Sequence, residues 1–167
     1  MRKFLIYFLT ICLMLSGCGA MENENVKVAR EYLKSMGFKI VSYEGTAEEY
    51  MLTKDKLTRL PYMQHWGLQR EDPGKYIGKT ITVEKFIVRN HPLDNWDSGS
   101  RIDPVKSKGK TIVWVFLVDN RAVGGISYPV VDKMLLGSVW SIDGKTLEEV
   151  HSISYSEWQD QWMARFR

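Results

Sequence analysis

The sequence predicts an α+β domain in which an antiparallel sheet of about four or five strands carries an N-terminal helix and further short helices. Residues 111–130 predict this class because they read as two strands joined by a turn at Asp119-Asn120-Arg121, which is the pattern of a β-hairpin. The rest of the chain supports it, because the patterns run helix, strand, helix, strand, hairpin, strand, helix with short connections.

The chain begins with a leader that has the pattern of a secretory signal. Arg2 and Lys3 precede an uncharged apolar run over residues 4–15, well short of the roughly 20 residues that a membrane-spanning helix needs. Leu15-Ser16-Gly17-Cys18 follows, and this order of charges, apolar run, small residues and cysteine resembles the type II signal peptide of bacterial lipoproteins. The resemblance implies that diacylglycerol is attached to the thiol of Cys18 and that the chain is cleaved before it.

These features predict three parts of the chain. Residues 1–17 are the signal peptide, residues 18–24 are the lipidated cysteine with a short tether, and residues 25–167 form a single globular domain. An uncleaved N-terminal anchor and an ordinary signal peptide are the alternatives. The predicted location is the extracytoplasmic face of the cell membrane, where acyl chains on Cys18 hold the protein to the bilayer.

The composition of the mature chain excludes several classes of function. Arg2 and Lys3 account for two of the 23 basic side chains, so removing the leader leaves 21 basic against 20 acidic residues. A near-neutral domain lacks the basic field that nucleic-acid binding requires. Because Cys12 and Cys18 are the only cysteines, the domain has no internal disulfide, thiol nucleophile or cysteine metal site.

The first predicted element is a helix over about residues 24–36, with apolar side chains at helical spacing, Asn23 or Asn25 as its cap and Gly37 beyond its end. Residues 38–43 alternate as a strand does. The segment that follows is ambiguous, since Thr46 could open a helix whereas residues 50–52 could form a short strand. A further helix, capped by Thr53 or Asp55, is predicted to run to about His65, with Pro61 limiting its regularity.

The second half reads mainly as strands. Residues 80–89 predict an outer strand, and residues 90–110 predict a long polar loop, either functional or mobile. Residues 111–118 are apolar on both faces, which is typical of a central strand. The returning strand covers residues 122–130, where Gly124-Gly125 indicates a bulge or a close backbone approach. A strand over residues 138–142, a helical turn over 146–150 and a helix from a Ser156 cap to about Phe166 complete the prediction.

Residue types that bind metals or attack substrates are present without their usual spacing. His65, His91 and His151 are isolated in sequence, so no pair of imidazoles is predicted to share a metal ion. Residues 94–99 are similar to an oxygen-rich calcium loop but lack its alternating acids and terminal glutamate, and predict a solvated loop. The serines between Ser127 and Ser156 lie outside nucleophile motifs. We therefore predict no catalytic residue, no metal and no cofactor.

The tryptophans are the most informative side chains of the domain. Trp114 and Trp140 are predicted to lie in the core, and Trp158 with Trp162 to form either a helix face buried on the sheet or a docking stripe, with the core favoured. Trp96 stands in the polar loop with no evident core to enter. It is either packed or an exposed anchor for a partner or for a lipid headgroup region.

Several short motifs resemble a family of small uncharacterised lipoproteins from Gram-positive, spore-forming bacteria. They are residues 123–129 (VGGISYP), residues 140–149 (WSIDGKTLEE), the helix motif at Tyr32-Leu33 with Gly37, and the turn at residues 76–79. The resemblance spans about residues 26–150. It implies a lipoprotein with this fold class, and it carries over no catalytic residue.

Together these observations predict a non-catalytic binding or interaction module at the cell envelope. Its expected partners are the lipid bilayer, through Cys18, and an envelope protein or small ligand contacted by Trp96; nucleic acid is excluded. The alternative is a cell-envelope hydrolase that uses a pair of carboxylates about 5 to 10 Å apart. Its candidate acid and base residues are Asp97, Asp103, Asp132 and Glu148.

Overall fold

A computed structural model describes residues 23–133, 135 and 137–167, so the predicted signal peptide and Cys18 lie outside the described residues. Five antiparallel strands form one sheet in the order β1-β2-β3-β4-β5, which confirms the predicted α+β class. The strands are β1 (Lys39–Met51), β2 (Thr80–Arg89), β3 (Thr111–Val118), β4 (Arg121–Pro129) and β5 (Trp140–Ser141). The helices are α1 (Glu24–Ser35), α2 (Lys54–Leu57), α3 (Tyr62–Gly67), α4 (Leu147–His151) and α5 (Tyr155–Phe166), with 3₁₀ turns at Pro73–Tyr76 and Pro92–Asn95.

The sheet is covered on both faces. Helix α1 packs through Val26, Ala29 and Leu33 against one face, and helices α2 to α5 pack against the other. Strand β3 lies in the middle, so Val115 on one face and Phe116 on the other are both buried. This double burial is the reason that residues 111–118 are apolar throughout, and it confirms the predicted central strand.

Helix α1 connects the two ends of the sheet. Asn120 Nδ2, in the turn between β3 and β4, donates a hydrogen bond to Glu24 Oε2 at 3.2 Å, so α1 begins at this end. Asn90 Nδ2, just after β2, donates to the Gly37 carbonyl at 3.2 Å, so α1 ends at the opposite one. We call the first the turn end and the second, which carries residues 90–110, the loop end.

Strand β1 is much longer than the predicted strand over residues 38–43. The helix considered from Thr46 is wrong, and the strand alternative at residues 50–52 is correct up to Met51. The register between β1 and β2 shifts at three places. Between two of these shifts, the fully buried Glu84 carboxylate accepts hydrogen bonds from Tyr43 Oη at 2.7 Å and from Thr46 Oγ1. These bonds explain how a carboxylate is accommodated beneath a bulged strand.

Strand β2 has the predicted bounds but lies between β1 and β3, so its assignment as an outer strand was wrong. The predicted helix to His65 is divided into α2 and α3, because the chain turns before Pro61 and α3 begins only after it. The cap at Thr53 is confirmed, since its hydroxyl accepts a hydrogen bond from the Lys56 amide at 3.2 Å.

The C-terminal part differs from the prediction in two details. The strand expected over residues 138–142 contains only Trp140 and Ser141. The cap of α5 is Ser154 rather than Ser156, because the Ser154 hydroxyl accepts from the Glu157 amide and places the helix start at Tyr155. The buried face of α5 consists of Trp158, Trp162 and Phe166, which confirms that Trp158 and Trp162 belong to the core.

Within the described ranges, no helix has the length and apolar character required to cross a bilayer.

Candidate functional site

A cleft of about 330 Å³ lies beside the first half of β4 and is the candidate site. Strand β5 pairs with β4 at Ile126 and Ser127, and within the part of the chain that the structure describes no strand pairs with the earlier residues of β4 on that side. The space is bounded by the end of α1, by residues 68–71 and by the turn that follows β5. The brevity of β5 therefore creates the cleft.

The buried Gln69 side chain forms one wall of the cleft and bonds to the open side of β4. Its Oε1 accepts a hydrogen bond from the Gly125 amide at 2.8 Å, and its Nε2 donates to the Gly125 carbonyl at 3.1 Å. Nε2 also donates to the His65 carbonyl within α3. One carboxamide thus satisfies both backbone groups that a neighbouring strand would otherwise satisfy.

The two glycines of β4 are required by this close packing. A Cβ atom on Gly124, whose φ is +149°, would lie 2.1 Å from Gln69 Oε1. A Cβ atom on Gly125 would lie 2.2 Å from the Trp114 carbonyl oxygen. Val123 is the extra residue of a bulge, because Gly124 pairs with Phe116 and the next pair is already one residue displaced. Both predicted roles of the pair, bulge and close approach, are confirmed.

Opposite charges meet at the mouth of the cleft. Arg70 Nη2 lies 2.7 Å from Asp143 Oδ2, and the Ser141 hydroxyl donates to Asp143 Oδ1 at 2.6 Å. Burial alone would raise the pKa of Asp143, but the Ser141 hydrogen bond and the Arg70 charge outweigh it and lower that pKa. The carboxylate is therefore ionised at neutral pH, and three-quarters of the Arg70 side chain is exposed to solvent above it.

The Tyr32 phenol supplies a neutral polar group to the same cleft. Its pKa is raised, first by burial and then by the negative charge of Asp143. The hydroxyl therefore keeps its proton at neutral pH and can both donate and accept a hydrogen bond. A ligand in the cleft would meet a guanidinium, a phenol and the carboxylates of Asp143 and Glu71, which is an arrangement suited to a polar molecule or a polypeptide segment.

A second cavity of about 200 Å³ extends the cleft toward the turn end. It shares Glu71, Ala122 and Val123 with the cleft and continues to Lys79 and Arg121. The two spaces together follow the open side of β4. Sequence reasoning did not identify this groove, because nothing in the sequence shows that β5 ends after two residues.

Comparison with known proteins gives no relative: no protein-family model matches this chain, and no match was found among curated proteins or solved structures. The resemblance to small uncharacterised lipoproteins therefore stays a prediction. The assignment of the site depends on the geometry alone.

Trp96 is half-buried and packs edge-on against Trp140, with 5.5 Å between ring centroids. Its position is fixed by the backbone, since the Ser107 amide donates to the Trp96 carbonyl at 2.8 Å. Asp97 and Lys106 form an isolated bridge beside it, so the base of the 90–110 loop is a narrow paired stem. Trp96 is therefore partly packed. Its ring contacts Trp140, and the sequence did not predict this contact.

The two tryptophans predicted to lie in the core are only partly buried. Trp140 belongs to the short strand β5, the last strand of the sheet that the described residues form. Trp114 packs edge-on against His65 and Tyr128, with centroid distances of 6.0 and 5.8 Å. Trp140 and Trp96 form one partly exposed pair; Trp140 does not line the cleft, although Ser141 and Ile142, which follow it, do.

The three histidines serve the packing of the domain. His91 Nδ1 accepts from the Leu93 amide at 3.1 Å, so its Nε2 carries the proton and donates to the Ile142 carbonyl at 3.0 Å. His151 Nε2 donates to the Gly67 carbonyl at 2.6 Å. His65 is buried, and this burial lowers its pKa to about 4, so its imidazole is neutral. Among residues 23–133, 135 and 137–167, no cluster of three potential metal ligands occurs.

The carboxylates of the calcium-like stretch make internal contacts. Asp94 Oδ2 accepts from the Asn90 and His91 amides, and its Oδ1 accepts from the Thr111 hydroxyl at 2.8 Å. Asp97 accepts from the Gly99 amide and pairs with a lysine. The stretch is therefore a set of turn and cap contacts, in agreement with the solvated loop that the sequence predicts.

The other candidate acids lie on the surface as ion pairs. Asp97 pairs with Lys106, and about two-fifths of its side chain is exposed. Asp103 and Asp132 pair with Lys133 and Lys108 and are more exposed still. Glu148 lines a separate cavity of about 220 Å³ beside Trp140 and Leu147.

Proposed function

We propose that this protein is a lipid-anchored, extracytoplasmic binding module, held to the membrane by acyl chains on Cys18 and non-catalytic. The observation that carries the proposal is the leader, in which two basic residues and an uncharged apolar run end at Leu15-Ser16-Gly17-Cys18. Two or more acyl chains hold a protein stably on a bilayer, since each buried methylene contributes about 0.8 kcal/mol. The short tether keeps the domain near the membrane surface.

The cleft supports the binding part of the proposal. Its wall is rigid, because Gln69 is tied to both Gly125 and α3, and its charges are fixed by the contact between Arg70 and Asp143. Preorganised polar groups reduce the ordering cost of binding. Apart from the cleft, the Trp96–Trp140 pair provides a partly exposed aromatic surface of the kind that anchors partners.

The hydrolase alternative gains no support from the positions of its candidate residues. Acid and base catalysis on a glycoside requires two carboxylates facing each other across a cleft. Asp97, Asp103 and Asp132 are instead exposed and paired with lysines, and Glu148 lines its cavity without a second carboxylate. Two carboxylates, Asp143 and Glu71, line the cleft. Asp143 pairs with Arg70, and its lowered pKa is opposite to what a general acid needs, whereas Glu71 accepts a hydrogen bond from Tyr76 Oη at 2.5 Å.

The anchor is tested by fractionating cells that express Cys18→Ala, with Cys12→Ala as the matched control in the same leader. We expect Cys18→Ala to remain as the uncleaved precursor, whereas Cys12→Ala is processed and stays with the membrane as wild type does. Processing of Cys18→Ala at the wild-type position would contradict the proposal.

Binding is tested by capture from detergent-solubilised envelope, with the mature domain as bait. We expect Trp96→Ala and Arg70→Ala each to lose captured material, because they remove the aromatic pair and the cleft cation. The control is Ile102→Ala, which alters a side chain that is 99% exposed and does not line the cleft. Equal capture by all four proteins would contradict a binding role for this surface.

A further inference from the structure

The turn end of the sheet exposes two large apolar side chains on neighbouring backbone segments. Met51 is 57% exposed at the end of β1, and Ile77 is 37% exposed before β2. The backbone holds their segments together, because the Leu52 amide donates to the Lys79 carbonyl at 3.0 Å and the Gly78 amide to the Leu52 carbonyl at 2.8 Å. Exposed apolar side chains grouped in this way are typical of a contact surface.

Basic side chains lie at the same end of the sheet. Lys75, in the 3₁₀ turn before Ile77, is exposed and pairs with Glu71 at 3.9 Å, and Arg121 is exposed at the start of β4. Lys79 pairs with Asp119 at 2.6 Å, and about half of its own side chain stays exposed. Apolar side chains flanked by lysine and arginine are the combination found on protein surfaces that lie in a membrane interface.

The N-terminal tether leads to the same end of the sheet. Helix α1 begins at Glu24, which accepts a hydrogen bond from Asn120 in the β3–β4 turn. Asn23 follows Cys18 by only five positions, so the lipidated residue lies at most about 20 Å from the start of α1 at the turn end. The loop end is a strand length further away, about 33 Å for the ten residues of β2.

We infer that the turn end rests on the lipid bilayer, with Met51 and Ile77 in the headgroup region and with Lys79 and Arg121 next to lipid phosphates. This inference rests on the proposed anchor at Cys18. The surface is too small to bind a membrane unaided, but the anchor keeps it at a high effective concentration near the bilayer, so that weak contacts suffice to orient the domain.

This orientation has a consequence for the binding surface. The Trp96–Trp140 pair lies at the loop end and therefore faces away from the membrane. In this orientation Trp96 cannot contact lipid headgroups. Its remaining role as an anchor is contact with a partner in the envelope. The groove along β4 runs between the two ends, with its Lys79 end nearer the membrane.

The test uses the full lipidated protein in vesicles of equal parts phosphatidylglycerol and phosphatidylethanolamine. Ile77→Cys and Ile102→Cys each receive a nitroxide spin label, which reacts only at the introduced thiol because the Cys18 thiol carries lipid. Ile102 is the matched control, since it is an exposed isoleucine in the loop near the other end of the sheet. Electron paramagnetic resonance then compares collisions of each label with oxygen and with a water-soluble nickel chelate.

We expect vesicle binding to raise oxygen collisions and lower nickel collisions for the label at position 77, and to leave the label at position 102 unchanged. A label at 77 that stays as accessible to nickel as the label at 102 would overturn the orientation. Flotation of the same vesicles separates the two claims. Protein that fails to float contradicts the anchor, whereas protein that floats with a water-exposed label at 77 contradicts the orientation alone.

Discussion

The carboxamide of Gln69 bonds to both backbone groups of Gly125, and it occupies the place of a strand on the open side of β4. The same side chain donates to the His65 carbonyl, so one residue joins α3 to the sheet. This contact fixes the wall of the cleft. Gln69 takes the place of a neighbouring strand at Gly125, whereas residues 122–124 of β4 border the cleft.

Replacing Gln69 by leucine removes all three hydrogen bonds at nearly constant volume. The Gly125 amide and carbonyl would be left unpaired in a buried site, which lowers the free energy of unfolding by about 2 to 3 kcal/mol. Urea unfolding measures this loss as a lower midpoint. The control is Gln161→Leu on the exposed side of α5, where we expect a change within about 0.5 kcal/mol. Equal midpoints for the two variants would contradict the role given to Gln69.

Replacing Gly125 by alanine places a methyl group 2.2 Å from the Trp114 carbonyl, a backbone atom that cannot rotate away. We expect a loss of about 3 kcal/mol in unfolding free energy, since overpacking forces the strands apart. In the matched variant Gly74→Ala the new atom would lie 3.1 Å from the Asp72 side chain, which can move, so the loss is smaller. A Gly125→Ala protein as stable as Gly74→Ala would show that the two strands are not tightly packed there.

The buried His65 makes stability depend on pH in a defined direction. Burial lowers its pKa to about 4, below the unfolded value of about 6.5, so the unfolded chain binds the proton more readily between these values. Above pH 6.5, neutral His65 makes its full contribution to the free energy of unfolding. That contribution decreases by about 3 kcal/mol in total as the pH falls to 4.

This dependence is measured by urea unfolding at several pH values in wild type and in His65→Leu. The pKa of His91 is also lowered by burial and acts in the same sense, but His91 is present in both proteins, so the difference isolates His65. The unfolding free energy of wild type minus that of the variant should fall by about 3 kcal/mol as the pH falls from 6.5 to 4. Curves that stay parallel would mean that His65 is protonated alike in the folded and unfolded chains.

The Trp96–Trp140 contact should appear as a coupling energy. Edge-on aromatic pairs contribute about 0.5 to 1.5 kcal/mol beyond their buried area. A double-mutant cycle with Trp96→Ala, Trp140→Ala and the double variant should give a coupling in this range. A coupling near zero would mean that the two rings do not stabilise each other and that Trp96 is exposed in solution.

The sequence was sufficient to predict those elements in which the pattern of apolar residues agrees with the packing in the fold. Residues 111–118 are apolar on both faces because α1 and the C-terminal helices cover both sides of β3. The pair Gly124-Gly125 indicated a close approach for the reason that the structure gives. Helix α1 followed from its apolar spacing and its Asn23 cap.

Tertiary contacts decided the elements that the sequence left open or misplaced. Residues 44–51 are rich in glutamate and suited a helix, but pairing with β2 and the bonds of Tyr43 and Thr46 to Glu84 hold them in a bulged strand. The cleft depends on a strand that stops after Trp140 and Ser141 and on Gln69, a residue separated from Gly125 by more than 50 positions. Contacts between residues so far apart in the chain leave no periodic pattern in the sequence.

The most direct test of the central claim is intact-mass spectrometry of the protein purified from bacterial membranes. A chain beginning at Cys18, with the added mass of a diacylglyceryl group and fragment ions that place it on that residue, is the predicted result. A membrane-bound protein that retains residues 1–17, or one that begins at Cys18 or beyond without lipid, would contradict the account.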